Sequence, residues 1–145
     1  MANKSLVTVA LGLIVGAAAV LLVHPPRKPL TVWVIQVGDA NGPDDPSHIS
    51  LGDLEMQRTD QVEWRAYKAT NLLYIEFEQQ IFQNMTYQPA TKRYRVRCSG
   101  GVCDSDALLS TAKDNVWYKY SQGLATSTNS AIVWVDGRII INKGN

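Results

Sequence analysis

One uninterrupted apolar stretch constrains this chain more than any other feature. Residues 6–23, LVTVALGLIVGAAAVLLV, carry no charge, and Thr8 has the only polar side chain among them. As an α-helix this stretch would be about 27 Å long, close to the thickness of the hydrocarbon core of a bilayer. A helix also satisfies its own backbone hydrogen bonds in lipid. The sequence therefore predicts an N-terminal transmembrane anchor over residues 1–23.

A cleaved signal peptide is the alternative interpretation of this stretch. The start of the chain is basic at Lys4, as in a signal, but the apolar core is longer than the roughly 7–15 residues of a signal peptide. No small-x-small cleavage site follows it in residues 24–29, HPPRKP. We therefore expect an anchor that stays on the chain. The three prolines of residues 24–29 cannot continue a helix and favour extended backbone, so this segment is predicted to be a stiff linker.

Small residues recur every four positions along the predicted anchor. Thr8, Gly12 and Gly16 would share one helix face, and Gly12 with Gly16 forms a GxxxG pattern. Small residues let a second transmembrane helix approach closely, so this face is a candidate for helix packing, although glycine is common in membrane helices in any case. A single N-terminal anchor usually leaves the domain that follows outside the cytoplasm. We therefore expect an extracytoplasmic domain in contact with the bilayer surface.

The remaining residues, 30–145, have the length of one ordinary domain. The whole chain has 14 Lys and Arg and 13 Asp and Glu. Lys4, Arg27 and Lys28 precede residue 30, which leaves 11 basic and 13 acidic residues and a net charge of −2 for the domain. Nucleic-acid binding requires a strong basic excess, so the composition gives no support to a nucleic-acid partner.

Cys98 and Cys103 are the only cysteines, and they flank the flexible segment Ser-Gly-Gly-Val. In an oxidising compartment this spacing predicts a small structural disulfide. Reduced thiols are the alternative. A zinc site is disfavoured because it needs two further Cys or His ligands nearby, and the neighbouring sequence has none.

Alternation of apolar and polar residues predicts an all-β domain. Residues 61–66 and 71–78 alternate, with Val62 and Trp64 facing inward in the first and Leu73, Ile75 and Phe77 in the second. Residues 116–120 alternate in the same way. Short strands at this spacing, joined by polar loops, are typical of a β-sandwich. Trp33, Trp64 and Trp134 are candidates to fill its core.

Three further elements complete the predicted sandwich. Residues 30–37, LTVWVIQV, are apolar on both faces and indicate an interior strand. Residues 131–135 and 138–142 are predicted to form a hairpin that turns at Asp136-Gly137, a strong turn signal between two β-rich segments. A short helix over residues 104–113 is expected, with Asp104 or Ser105 as its N-cap.

The order of three short motifs resembles that of cupredoxin-like domains. Residues 59–64, TDQVEW, are similar to the "Gly-Asp-x-Val-x-Trp/Phe" entry to a core strand of that family, with Thr59 in place of the glycine. Residues 118–120, YKY, resemble the late strand after the ligand loop. Residues 136–141, DGRIII, resemble the "Asp-Pro-x-Ile-Ile-Ile" ending of bacterial members. The resemblance implies a cupredoxin-like β-sandwich over residues 30–145, with another immunoglobulin-like sandwich as the alternative.

The copper chemistry of the family does not carry over to this chain. A blue-copper site needs two histidines and a cysteine, and beyond the linker the chain has one histidine, His48. His48 is predicted to be a loop residue with ordinary hydrogen bonds. We expect no metal, no cofactor and no catalytic residue. Glu76 and Glu78 could be paired acids for glycoside hydrolysis, but we predict that they are charges on the solvent side, opposite Arg95 and Arg97.

Exposed aromatic and arginine side chains give the best indication of function, because Tyr, Trp and Arg are enriched in protein interfaces. The resemblance adds that cupredoxin-like domains on a single anchor occur in bioenergetic complexes. We therefore expect a non-catalytic accessory subunit of a respiratory or photosynthetic membrane complex, such as a reaction-centre complex, on the periplasmic side of a bacterial inner membrane. A ligand-binding or sensing domain is the alternative, and a metal-dependent electron carrier is a weaker one. The candidate interface residues are Arg93, Arg95, Arg97, Tyr74, Tyr87 and Trp117.

Overall fold

The computed structural model describes residues 31–50 and 53–143, and all the regular elements within these ranges are β-strands. The predicted anchor, the linker and the helix-packing positions Thr8, Gly12 and Gly16 lie outside the described residues. Within the described ranges, no helix has the length and hydropathy that crossing a membrane requires.

Ten strands make up the described domain. They are β1 (Val32–Val37), β2 (Leu54–Gln57), β3 (Gln61–Ala66), β4 (Leu72–Phe77), β5 (Thr86–Gln88), β6 (Arg93–Arg95), β7 (Cys98–Ser99), β8 (Val102–Asp104), β9 (Trp117–Ala125) and β10 (Val133–Asn142).

The strands form two sheets that enclose one core, as in a β-sandwich. The four-stranded sheet has the order β1-β3-β8-β7, and the six-stranded sheet has the order β2-β10-β9-β4-β6-β5. β1 pairs with β3 in parallel, as does β2 with β10, and the other pairs are antiparallel. The predicted all-β class is therefore confirmed for the described part of the chain.

An aromatic cluster joins the two sheets. Trp64 of β3 is fully buried and makes edge-on contacts with Phe77 of β4, Phe82 and Tyr120 of β9, at ring-centroid distances of 6.3, 6.4 and 5.8 Å. Phe77 and Tyr120 lie on neighbouring strands of the six-stranded sheet and stack at 5.1 Å. Offset and edge-to-face pairs of this kind stabilise a core beyond the burial of their area.

The two alternating segments form the strands that the sequence predicts. Residues 61–66 are β3, in which Val62 and Trp64 are buried. Residues 72–77 are β4, in which Leu73, Ile75 and Phe77 are buried. The predicted disulfide is also confirmed, since Cys98 and Cys103 are bonded and face each other across β7 and β8.

The predicted hairpin at Asp136-Gly137 is wrong. β10 continues without a turn through both residues. Gly137 lies opposite Tyr120 of β9, and a Cβ atom on Gly137 would be 2.5 Å from Cζ of the tyrosine ring. The glycine therefore makes room for a buried aromatic side chain and does not turn the chain.

The predicted helix over residues 104–113 is wrong as well. Asp104 ends β8, and Ser105 continues the pairing with β3, because its N–H donates to the Val62 carbonyl and its Oγ accepts from the Val62 N–H, both at 2.7 Å. Leu108 forms an isolated antiparallel bridge with Phe82. Burial of Leu108 against the core in extended backbone outweighs the local helix signal.

Two burial predictions also need correction. β1 is an edge strand and not an interior one, with Val32 and Val34 about half exposed. Trp134 is exposed and does not belong to the core, whereas Trp33 is partly buried against it and donates from Nε1 to Asp60 Oδ2 at 2.9 Å. The outward position of Trp134 gives the six-stranded sheet an aromatic outer surface.

Candidate binding surface

The six-stranded sheet carries two exposed tryptophans on its outer face. We use outer face for the side of β4, β6, β9 and β10 that points away from the four-stranded sheet. Trp117 of β9 is 42% exposed and Trp134 of β10 is 38% exposed. Trp117 begins β9 and lies opposite Ile140, near the end of β10. Trp134 is near the start of β10 and lies opposite Gly123, near the end of β9. The two indoles therefore occupy opposite ends of this face.

Each tryptophan has an arginine close by. The guanidinium of Arg138 lies 5.1 Å from the ring centroid of Trp117 and is also ion-paired with Asp53. At the other end, Trp134 lies 6.3 Å from the ring of Tyr74, and the guanidinium of Arg95 is 5.0 Å from that tyrosine ring. Cation–π contacts hold both arginines near aromatic faces.

A buried ion pair fixes Arg95 on the outer face. Glu76 is only 2% exposed, and its Oε1 accepts hydrogen bonds from Nε and Nη2 of Arg95 at 2.9 and 2.5 Å. The expected cross-strand pairing of Glu76 with Arg95 is confirmed by their register. The expectation that Glu76 is a solvent-side charge is wrong, because neighbouring side chains of the sheet cover it.

A groove of about 440 Å³ lies next to this ion pair. Ser121 is almost fully buried at its floor, where its Oγ donates to Asp136 Oδ1 at 2.7 Å and accepts from Nη1 of Arg93. Glu76, Ser121 and Asp136 are aligned in register across three strands, so they form one polar row. The lining residues are Glu76, Thr91, Arg93, Ser121, Trp134 and Asp136.

The predicted interface residues do not form one patch. Tyr74, Arg93, Arg95 and Trp117 lie on the outer face, although Trp117 is at the end away from the other three. Tyr87 is on edge strand β5 beside Tyr94, whose register partner Phe77 faces the core, so Tyr87 points to the other side of the sheet. Arg97 lies beyond the end of β6 and lines a separate hollow of about 410 Å³ beside the disulfide.

The sequence prediction missed Trp134, Ser121 and Asp136 as site residues. A signal was present, since Trp134, Asp136 and Arg138 alternate as the outward residues of one strand. Because a turn was predicted at residues 136–137, this alternation was not recognised as that of one continuous strand.

The described residues also locate His48, in the loop after β1. Its Nδ1 lies 2.9 Å from Asp39 Oδ2. The hydrogen bond raises the pKa of His48 and lowers the pKa of Asp39. Over residues 31–50 and 53–143, no group of three or more His, Cys, Asp or Glu side chains is arranged to hold a metal ion.

No protein-family model matches this chain, and no curated protein matches it either. The geometry of the outer face is therefore the basis for a functional proposal. That face offers aromatic rings, guanidinium groups held by ion pairs and carboxylates in fixed positions. These are groups that recognise and orient a partner by stacking and hydrogen bonding.

Proposed function

We propose that this protein is a non-catalytic accessory subunit of a larger membrane complex and that its β-sandwich presents the outer face to that complex. The observation that carries the proposal is the pair of exposed tryptophans on one sheet face, each beside an arginine. Trp117 lies under Arg138, and Trp134 adjoins the Tyr74–Arg95 pair. Tyr, Trp and Arg are enriched among the few residues that supply most of the binding energy in protein interfaces.

Ion pairs restrain two arginines of this face before a partner binds, Arg95 strongly and Arg138 more weakly, because the second pair is exposed. Arg95 is held by the buried carboxylate of Glu76, and Arg138 is ion-paired with Asp53. A side chain that is fixed in the free protein loses less conformational entropy on binding. This preorganisation supports a docking role for the outer face.

We further propose that the domain is a cupredoxin-like sandwich. Support comes from the three motifs, which fall on strands in the order that the resemblance implies. Residues 59–64 lead into β3 and bring Trp64 to the core, residues 118–120 lie in β9, and residues 136–141 lie in β10. An immunoglobulin-like sandwich is the alternative.

In this proposal the protein works without copper or another cofactor. A blue-copper site needs two histidines and a free thiolate. His24 belongs to the linker, so residues 30–145 contain one histidine, His48, and both cysteines are joined in the disulfide. The protein would therefore contribute positioning or shielding of a docking surface rather than electron transfer.

The membrane part of the proposal rests on residues 1–23 and the bioenergetic part on the family resemblance. The apolar run would hold the domain at the periplasmic face of a bacterial inner membrane, and Thr8, Gly12 and Gly16 would pack against a neighbouring helix. A respiratory or photosynthetic complex is proposed by analogy with other cupredoxin-like domains that have a single anchor.

A site-specific photocrosslinking experiment in membranes of the native host tests this proposal. An aromatic photocrosslinker replaces Trp117 on the outer face, and the matched control replaces Arg65, which is exposed on β3 of the opposite sheet. We expect the probe at position 117 to link the chain to one subunit of a membrane complex and the probe at position 65 to give no such product. Failure of position 117 to crosslink, or equal products from both positions, would refute docking through the outer face.

A second candidate function, a membrane-anchored ligand-binding domain, is favoured by one observation. The groove of about 440 Å³ is large enough for a small ligand, since ligand sites commonly have volumes of roughly 300–1,000 Å³.

A further inference from the structure

We propose that the groove beside Glu76 binds a neutral saccharide, with Trp134 as the surface on which a sugar ring stacks. This role goes beyond that of an accessory subunit, because the groove is built from residues of this chain alone. Three properties of the groove support it: the position of the indole, the unused hydrogen-bonding groups and the balance of charge.

A glycine on the neighbouring strand allows the indole of Trp134 to lie close against the sheet. Gly123 lies opposite Trp134 in register, and a Cβ atom at that position would be 2.8 and 2.9 Å from Cε3 and Cζ3 of the indole. Only glycine therefore lets the six-membered ring of the indole approach β9 so closely. Tyr74, the next residue across the sheet, flanks the same glycine and supports the indole from the other side.

Part of the Trp134 ring remains open to solvent beside the groove. The apolar C–H face of a pyranose ring can cover such an indole and remove apolar area from water on both partners. A flexible apolar side chain would supply similar area without a flat surface. The fixed indole thus favours a ligand with a flat apolar face, and a sugar ring has one.

Two side chains of the groove, Asp136 and Arg93, keep hydrogen-bonding capacity. Glu76 uses Oε1 for Arg95, and Asp136 uses Oδ1 for Ser121. Glu76 is almost fully buried, whereas Asp136 is exposed, and within the described residues its second oxygen has no hydrogen-bond donor. Arg93 gives one N–H to Ser121 and has others to donate.

Thr91 lines the same groove as Asp136 and Arg93. A sugar presents several hydroxyls on one ring, and each can donate to a carboxylate and accept from a guanidinium. Carboxylate and guanidinium partners also make the stronger, charge-assisted class of hydrogen bond. The groove therefore matches a polyhydroxylated ligand.

The charges of the groove favour an uncharged ligand. Glu76 and Asp136 are balanced by Arg93, which lines the groove, and by Arg95, which is paired with Glu76. A phosphate or carboxylate ligand would meet two carboxylates, and an ammonium ligand would meet two guanidiniums. Neither an anionic nor a cationic ligand therefore gains a net electrostatic attraction. The hydroxyls of a neutral saccharide can hydrogen-bond to carboxylates and to guanidinium groups alike.

Titration of the purified full-length chain tests the proposal directly. The protein is kept in a detergent without a sugar headgroup, because an alkyl glycoside would compete for the site. Cellobiose, maltose and N,N′-diacetylchitobiose are added separately, and amide chemical shifts are followed by NMR. We expect at least one disaccharide to bind with a millimolar dissociation constant and to shift the amides of residues 121–123 and 134–136.

The matched variants are Trp134→Ala in the groove and Trp117→Ala at the far end of the same face. We expect Trp134→Ala to weaken binding by about tenfold or more, and Trp117→Ala to leave it unchanged. Asp136→Asn, which keeps an acceptor for Ser121, provides a second variant in case Trp134→Ala lowers stability, and it should weaken binding as well.

Three results would overturn the proposal. The first is that none of the three disaccharides shifts the groove amides. The second is that Trp134→Ala and Trp117→Ala weaken binding equally. The third is that tetramethylammonium binds at the groove while the disaccharides do not, which would assign the aromatic wall to a cation. Because the purified chain contains no partner complex, these outcomes do not depend on whether the docking proposal holds.

Discussion

Single glycines decide where the large aromatic side chains of this domain can lie. Gly137 faces the ring of Tyr120 in the core, and Gly123 faces the indole of Trp134 on the outer face. In both cases the missing Cβ atom provides the space for a ring on the neighbouring strand. Glycine normally weakens a strand interior, so its presence marks close packing.

Replacing Gly137 with alanine tests this packing. The new methyl group would lie 2.5 Å from Cζ and 2.7 Å from the hydroxyl oxygen of Tyr120, which is itself almost fully buried. Overpacking of this kind should lower the free energy of unfolding by about 2 kcal/mol. Urea denaturation followed by tryptophan fluorescence measures the change.

Lys119→Ala is the control, since this exposed residue lies on the same strand as Tyr120, and we expect it to change stability by less than about 0.5 kcal/mol. A Gly137→Ala variant as stable as the wild type would show that Tyr120 has room to move.

His48 gives a prediction that depends on pH. Its hydrogen bond to Asp39 raises the pKa of the imidazole above its ordinary value of 6.5 and lowers the pKa of the carboxyl below 3.8. The stability that His48 contributes is therefore complete below pH 6.5 and is lost as the pH rises through its raised pKa. The stability that Asp39 contributes is present above pH 3.8 and is lost as the pH falls through its lowered pKa.

An NMR titration of the imidazole measures this shift. We expect the pKa of His48 to lie above 6.5 in the wild type and to fall towards that value in Asp39→Asn. Asp45→Asn is the matched control and should have a much smaller effect, because Asp45 acts on the imidazole only through a weak charge interaction, without a hydrogen bond. Equal shifts in the two variants would contradict the pairing of His48 with Asp39.

At the scale of elements, a buried ion pair connects β4 to β6. Replacing Arg95 with methionine keeps the length of the side chain but leaves the carboxylate of Glu76 buried without its partner. We expect a loss of about 2–4 kcal/mol in the free energy of unfolding. This is somewhat less than the cost of breaking a fully buried pair, because Arg95 is itself partly exposed.

The matched control breaks the exposed pair of the same sheet. Arg138→Met removes the contact with Asp53, where both side chains are 40% exposed or more, and should cost less than about 1 kcal/mol. The double variant Glu76→Gln/Arg95→Met should recover part of the loss. Equal costs for the two single variants, measured by urea denaturation, would contradict a buried role for the Glu76–Arg95 pair.

The sequence predicted strands correctly where the alternation of apolar and polar residues was sufficient to define them. β3 and the inward residues of β4 follow from the period of two alone. The disulfide follows from the spacing of Cys98 and Cys103. Prediction failed where tertiary contacts outweigh local preference. Asp-Gly is a turn signal in isolation, yet Gly137 remains in a strand because Tyr120 needs its space.

The candidate site was harder to predict than the strands. Tyr74, Arg93 and Arg95 were found through their residue types, but the groove requires β4, β9 and β10 to lie side by side. That neighbourhood depends on pairings between residues far apart in the sequence. Hydrophobic periodicity and composition give information about one strand at a time. They could not predict that Glu76, Ser121 and Asp136 are aligned across three strands.

At the scale of the whole molecule, different parts of the chain are proposed to have different tasks. The apolar residues 6–23 would hold the chain in the membrane, the linker would set its distance from the lipid, and the sandwich would present its outer face to larger subunits. This division predicts that the full chain and its partners leave the membrane together in mild detergent.

Native mass spectrometry of that detergent extract tests the central claim most directly. We expect a stoichiometric membrane complex that contains this chain with residues 1–23 still attached. Recovery of the protein from the soluble fraction, as a monomer that has lost those residues, would contradict the proposed role.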